Sequence, residues 1–211
     1  MYAWLRAEIL AGRLAPGQRL SPSDLAVQHG VSSNVLREAL SRLAGERLVS
    51  AAPQQGFAVV SVSAADLDHV TELRELVELH AMRRSIERGD LAWEGTVVAA
   101  HHRLAHTPMT IPDHPEQLNR EWARAHRAFH ATTMSGCQNP RLVELADRLS
   151  ESAEIYRYRS QLVDEGSRDV AGEHRSIFEA VIARDAPQAC QLHAEHIRRT
   201  ARIVSAALRQ S

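Results

Sequence analysis

The sequence predicts a mainly α-helical protein in two lobes, and three observations lead there. Hydrophobic residues make up 44% of the 211 positions while aromatics are only 4%. The core is therefore built of Leu, Val, Ile and Ala, a mixture that suits packed helices better than a large sheet. The texture of the chain also changes near residue 63. Before it, short apolar segments alternate with turns; after it, almost everything reads as amphipathic helix. The division predicted is a small lobe at 1–63 and an all-helical antiparallel bundle at 64–211.

In the first lobe a helix spans roughly 2–11, with Leu5, Ile9 and Leu10 on one side. The run APGQRL breaks it. Ser21 and Asp24 form a capping-box-like start for a helix over 22–29, which Gly30 ends. Ser32 can cap a third helix over 33–46, whose apolar stripe is Val35, Leu36, Ala39, Leu40 and Leu43. Residues 47–62 then read as two short strands around a Pro/Gly turn. Three helices followed by a hairpin is the order of a winged helix-turn-helix.

Ser63 and Asp66 mark the next helix start. Helices are expected over 64–88, 91–106, 115–135, 139–160, 168–184 and 186–209. Breaks fall at Gly89–Asp90, across the Pro-containing run 107–115, at 136–140 and near Gly166. Asp185, Pro187 and Gln188 make a strong start for the last helix. Leu118, Trp122, Ala125 and Phe129 mark the buried stripe of helix 115–135. Six such helices form a bundle with room for a central cavity.

Composition excludes several classes. Net charge is −1 and all 25 basic side chains are Arg, so no globally basic coat is present. Cys137 and Cys190 form no C-x-x-C pair and no disulfide framework, which fits a reducing cytoplasm. No apolar run approaches the ~18 residues of a membrane span, and MYAWLRAEIL does not read as a signal peptide.

In a helix-turn-helix the second helix of the pair enters the major groove of double-stranded DNA. Here its exposed start carries Ser32, Ser33, Asn34 and Arg37. Hydroxyls and helix N-terminal amides suit phosphate, Arg suits guanine or phosphate, and Asn can read adenine. The hairpin tip, with Gln55 and Gly56, is placed to follow the backbone or minor groove. Ordinary capping and surface residues are the plain alternative. The lobe is only modestly basic.

The run ILAGRLAPGQRL, then LAVQHGVSSNVLREALSRLAGERLV and GFAVV, resembles the GntR family of bacterial transcription regulators over residues 9–60. The resemblance implies operator DNA as partner. Two positions depart from the family pattern. Ser33 and Ser23 stand where Arg is usual, and both are usual DNA contacts. The departures should weaken phosphate binding or change the operator, and they leave the fold expectation intact.

Twelve histidines raise a separate question. His126 and His130 stand four apart, on one face of a helix, and continue the row of Trp122. Two neutral imidazoles so placed make a bidentate platform for a transition metal. His174 shares a row with Phe178 and Val181 and faces inward. On the last helix His193 and His196 are both available, and periodicity does not choose between them.

The segments RELVE at 74–78, HRAFH at 126–130, SGCQNPRL, EHRSIFEAVIARDAPQA and His196 resemble the FCD ligand-binding domain found in one branch of the GntR regulators. The resemblance covers roughly residues 64–205. It implies a metal held by His126, His130, His174 and His196, and it selects His196 because that residue lies eleven after Asp185. His126 stands where the family has Asp. An all-imidazole set favours a divalent transition metal over magnesium or calcium; zinc is expected, with nickel or cobalt also suited. The family also implies a small carboxylate effector completing the coordination. Arg74 stands where a cavity-facing Arg is usual and suits a carboxylate. A surface pair with Glu78 at i,i+4 is the plain alternative.

The expected function is therefore a cytoplasmic transcription regulator and not an enzyme. It is expected to be a homodimer, because two half-sites need two recognition helices. A metal-dependent hydrolase is a different reading, but Arg127 occupies the place of the general base in an H-E-x-x-H motif. A direct metal sensor is a third.

Overall fold

The computed structural model describes residues 1–10, 12–46, 48–52, 56–61, 63–161 and 168–209. Its first lobe follows the expected order: α1 (Tyr2–Leu10), α2 (Pro22–His29), α3 (Ser33–Gly45), then strands β2 (Val49–Ala52) and β3 (Gly56–Val59). Ser21 caps α2 by accepting the Asp24 N–H, and Ser32 caps α3 by accepting that of Val35. Gly30 closes α2 at φ +64°, where a residue with a Cβ is strained.

A third strand, β1 (Arg19–Leu20), was not expected. It pairs antiparallel with β3, Arg19 opposite Ala58 and Leu20 opposite Phe57, giving the sheet order β1-β3-β2. Leu5, Ile9, Leu20, Leu36, Leu40, Leu43, Leu48 and Val59 form this lobe's own core. Val35 does not join it. The side chain expected on the apolar stripe of α3 is 44% exposed.

The second lobe holds α4 (Ala64–Arg88), α5 (Leu91–Ala105), α6 (Arg120–Ser135), α7 (Pro140–Gln161), α8 (Val170–Ile182) and α9 (Ala186–Arg209). Ser63 caps α4 and Asp90 caps α5. Asp185 accepts the Gln188 N–H at the start of α9. α4 packs against α6, α7 and α9; α5 lies on α6 and α8, and α8 on α9. Met82, Trp93, Val97, Trp122, Phe129, Ile177 and Val181 are at the centre of its core.

One helix boundary requires correction. Residues 115–118 are not helical. They belong to β5 (His114–Leu118), which pairs with β4 (Thr110–Ile111) through a register shift. Asn119 accounts for the late start of α6. Its side-chain oxygen accepts the Glu121 N–H, its side-chain amide donates to the Pro108 carbonyl, and its backbone N–H donates to that of Met109. An Asn in this position starts a helix and ends the hairpin at once. Leu118 therefore lies before α6, not on its stripe.

Ion pairs cross from one lobe to the other. Arg6 on α1 reaches Glu151 on α7 and donates to Glu46, the residue that ends α3, at 3.2 Å. Glu46 also accepts the Tyr2 hydroxyl at 2.5 Å. Glu151 is shared with Arg127 of α6, at 2.9 Å.

Candidate metal centre and nucleic-acid interface

α6 carries His126 and His130 on the face that also buries Trp122, Ala125, Phe129 and Thr133. α8 brings His174 and α9 brings His196 to the same place. All four are buried, at 3–8% exposure. One ring nitrogen from each can be chosen so that all lie within 4.8 Å of one another. The Nε2 atoms of His130 and His174 are 3.2 Å apart. Two imidazole nitrogens bound at about 2.0–2.1 Å and roughly 90–109° apart would be separated by about 2.8–3.4 Å, so this spacing fits ligands on adjacent positions of one ion.

Two of the four rings are held in the neutral form a metal requires. His130 is held well below its ordinary pKa, first by burial and then by the neighbouring imidazoles of His174, His193 and His196. His196 is lowered to about 4; burial leads, the hydrogen bond with Glu173 opposes it, and the Arg168 charge adds to it. Neutral imidazoles coordinate without first losing a proton.

Behind His196 stands a carboxylate. Glu173 Oε2 lies 2.7 Å from His196 Nδ1, and Arg168 donates to both Glu173 oxygens, at 2.9 and 2.6 Å. Arg168 Nη2 is 3.2 Å from the same Nδ1. One nitrogen cannot donate to Glu173 and accept from Arg168 together. The shorter, charge-assisted bond prevails, and Arg168 turns to the His196 carbonyl at 3.3 Å. The ring hydrogen therefore sits on Nδ1, and Nε2 offers its lone pair to a metal. Burial pushes the Glu173 carboxyl up, but His196 and Arg168 outweigh it and hold it at about 2.

Arg74 is neither a surface residue nor free. Its guanidinium donates to Glu78 at 2.6 and 3.3 Å, so the i,i+4 pair exists, but Glu78 is wholly buried. The other partner of Glu78 is His193, whose Nε2 lies 2.8 Å from Oε2. Burial raises the pKa of Glu78, yet Arg74 and His193 more than compensate and bring it to about 2. His193 thus spends its Nε2 on Glu78 and is not among the four imidazoles whose nitrogens converge. Sequence periodicity had left His193 and His196 equivalent; geometry separates them. Glu78 and Glu173 carried little advance signal, since a Glu on a helix is ordinarily solvated.

A large cleft of about 890 Å³ lies elsewhere, on the outer faces of α4 and α9, where Asp68, Thr71, Arg198 and Arg202 line it. It does not coincide with the imidazoles.

In the first lobe Ser32, Asn34 and Arg37 are exposed along the start of α3, and Ser33 is half-buried beside them. Ser23 is exposed, with its hydroxyl 2.9 Å from that of Ser21. Gly56 is exposed at the end of the wing with φ +76°; Gln55 lies outside the described residues. Val35 and Val27, 44% and 85% exposed, stand on α3 and α2. Exposed methyl groups of this kind can meet a thymine methyl.

A three-helix lobe with a wing, joined to a helical bundle with a buried polar centre, defines the class of DNA-binding regulators that carry a ligand-binding domain. Residues 1–59 match the model of the bacterial regulatory proteins of the gntR family, and residues 69–199 match the FCD domain. The chain belongs to the GntR family, in the group that carries the FCD effector-binding domain. It is 34% identical to the HTH-type transcriptional regulator BphR of Paraburkholderia xenovorans over 95% of this chain and 82% of that protein. It is 33% identical to the HTH-type transcriptional repressor GlaR of Escherichia coli over 93% and 90%. Among solved structures, Escherichia coli McbR/YncC superposes with a TM-score of 0.76 at 23% identity, over 96% of this chain and 94% of that one. A GntR transcriptional regulator from Rhodococcus sp. RHA1 gives 0.75 at 23%, over 98% and 96%. The protein is thus a DNA-binding transcription regulator with an effector-binding bundle. No described helix is long and apolar enough to cross a membrane.

Proposed function

We propose that operator affinity is controlled by a small carboxylate bound at a divalent transition metal, zinc first, with nickel or cobalt as alternatives. His126, His130, His174 and His196 hold the metal. The observation that carries this reading is the meeting of four buried imidazoles from three helices, their nitrogens within 4.8 Å. When bound, the metal supplies a Lewis acid with positions left for carboxylate oxygens. Four neutral rings leave the ion its full charge, which favours an anionic effector. Arg74, compensated by Glu78, acts on this centre from the α4 side. We propose that it assists carboxylate binding without being the sole contact.

The reading is non-catalytic. Arg127 follows His126 where a general base would stand, and it is paired with Glu151. That pair also offers a route to the DNA lobe, because Glu151 is shared with Arg6 and Arg6 with Glu46 at the end of α3. An effector acts by its differential affinity for two arrangements of the lobes. The protein works in the cytoplasm as a homodimer on an inverted repeat. Ser32, Ser33, Asn34 and Arg37 lie in the groove, and Ser23, Gln55 and Gly56 lie against the backbone.

The test is elemental analysis of dialysed protein. One transition metal per chain is expected, lost in the His126→Ala/His130→Ala double variant. A metal-free wild type, or full occupancy in the double variant, overturns the metal site. Light scattering and DNA titration of the same samples test the dimer; a monomer on its operator overturns it.

A further inference from the structure

His130 and His193 carry complementary needs. His130 presents Nε2 toward His174, and its Nδ1 is buried with no protein partner. His193 is wholly buried, ties Nε2 to Glu78, and likewise has an Nδ1 with no partner. The two rings are 5.1 Å apart, centre to centre, inclined at 38°. Once a metal takes the His130 Nε2 lone pair, the hydrogen of that ring is on Nδ1, a donor in want of an acceptor. Glu78 is an ionised carboxylate, so the His193 hydrogen is on Nε2. With Nε2 spent on Glu78, the His193 ring has its second nitrogen, Nδ1, left buried as an acceptor in want of a donor. A buried water both donates and accepts, and needs a few polar partners to be held.

We propose that His193, backed by Glu78 and Arg74, is a positioning residue that orients His130 toward the metal through one water bridging their Nδ1 atoms. The inference rests on the metal reading above. It gives His130 the same kind of support that Glu173 gives His196: a ring nitrogen turned from the metal and anchored to a carboxylate, here with an imidazole and a water between. It also explains why α4 buries a full ion pair beside the centre. Anchoring of this kind fixes the tautomer of a ligating histidine and ordinarily contributes 10- to 100-fold in metal affinity.

The test has two parts. Zinc affinity is measured by chelator competition for wild type, His193→Leu and His193→Gln, with elemental analysis at saturating zinc. His193→Leu should weaken zinc by about 10- to 100-fold while still reaching one zinc per chain. His193→Gln, which keeps an amide to donate to Glu78 and a carbonyl to accept, should recover part of the loss. Unchanged affinity in His193→Leu overturns the proposal. Loss of zinc even at saturation overturns it too, since His193 would then be a ligand. The second part is done on the zinc-loaded wild type and is independent of how the variants fold. Long-range 1H–15N spectra should place the hydrogen on Nε2 of His193 and on Nδ1 of His130, and the opposite tautomer at either ring overturns the proposal. A wild type that takes up no zinc at all would instead remove the metal reading itself.

Discussion

Replacing Glu151 by Gln should uncouple the two lobes. One carboxylate oxygen of Glu151 receives Arg127 from α6 and Arg6 from α1, and Arg6 continues to Glu46 at the end of α3. Arg127 directly follows His126, so this is a short path from the candidate centre to the recognition helix. The Arg6 and Glu151 side chains are 15% and 20% exposed, and a charge-assisted bond so placed is worth about 1.5–3 kcal/mol net. Arg127 is 34% exposed and is discounted for solvent to roughly 0.2–1 kcal/mol. Gln keeps one neutral hydrogen bond and the shape, so the variant forfeits about 1–2 kcal/mol of interlobe contact. Only the part that differs between the metal-loaded and metal-free states enters the coupling, which sets a ceiling of about 30-fold.

The assay is fluorescence anisotropy on a duplex selected from random sequence by the wild-type protein, with zinc and then with chelator. The ratio of the two dissociation constants should fall toward one in Glu151→Gln, with zinc stoichiometry and helical content unchanged. A ratio equal to that of wild type, or a wild-type ratio already at one, would refute the path.

Three further outcomes are expected. Arg37→Ala should lower operator affinity by about 1–3 kcal/mol if Arg37 reads a base; an unchanged titration at fixed salt removes it from the interface. Glu78 is lowered from 4.5 to about 2, so the stability it contributes is present above pH 4.5 and is lost as pH falls toward 2. That amounts to something on the order of 3 kcal/mol. Glu78→Gln should therefore be less stable at pH 7 and show a shallower loss of stability across that window, and an equal slope would show that the carboxylate carries none of it. Gly89→Ala should lower thermal stability, by about 1–3 kcal/mol from overpacking. Its Cβ would lie 2.2 Å from the Trp93 ring and 2.6 Å from the Ser85 carbonyl, and an unshifted melt would mean that Trp93 moves aside freely.

Much of the fold was legible because its signals are local. α4 begins and ends, and α9 begins, where their caps and breakers predict. His126 and His130 share a face because four residues make about one helical turn. The features that escaped are those fixed by distant partners. β1 is two residues long and is a strand only because β3 lies beside it. β4 and β5 define each other, and Pro115 within a polar run looks as much like a helix start as a strand. Val35 keeps helical spacing with Ala39 and Leu43 yet falls on the solvent side of a narrow stripe. Nothing along α4 marks Glu78 as buried, since its partner His193 is 115 residues away. Likewise the choice of His196 over His193 needed family resemblance, and the reason for it lies in the third dimension: Glu173 stands behind one ring and Glu78 behind the other.

The junction between the lobes is short. Four residues separate the last wing strand, ending at Val59, from Ala64 at the start of α4, and α4 then runs unbroken past Glu78. From Glu78 back to Ala64 is fourteen residues, or about 21 Å of rigid rod at 1.5 Å per residue. Such a rod acts as a lever with its fulcrum beside the imidazoles and its far end at the wing, where Leu67 is packed against Val204 of α9. A tilt of about 5° at the fulcrum swings the wing end by roughly 2 Å. A hydrogen bond to phosphate, formed at about 2.9 Å, does not survive a displacement of that size. If the wing holds a phosphate, a rearrangement too small to alter the packing around His130 would be large enough, at the far end of one helix, to break that contact.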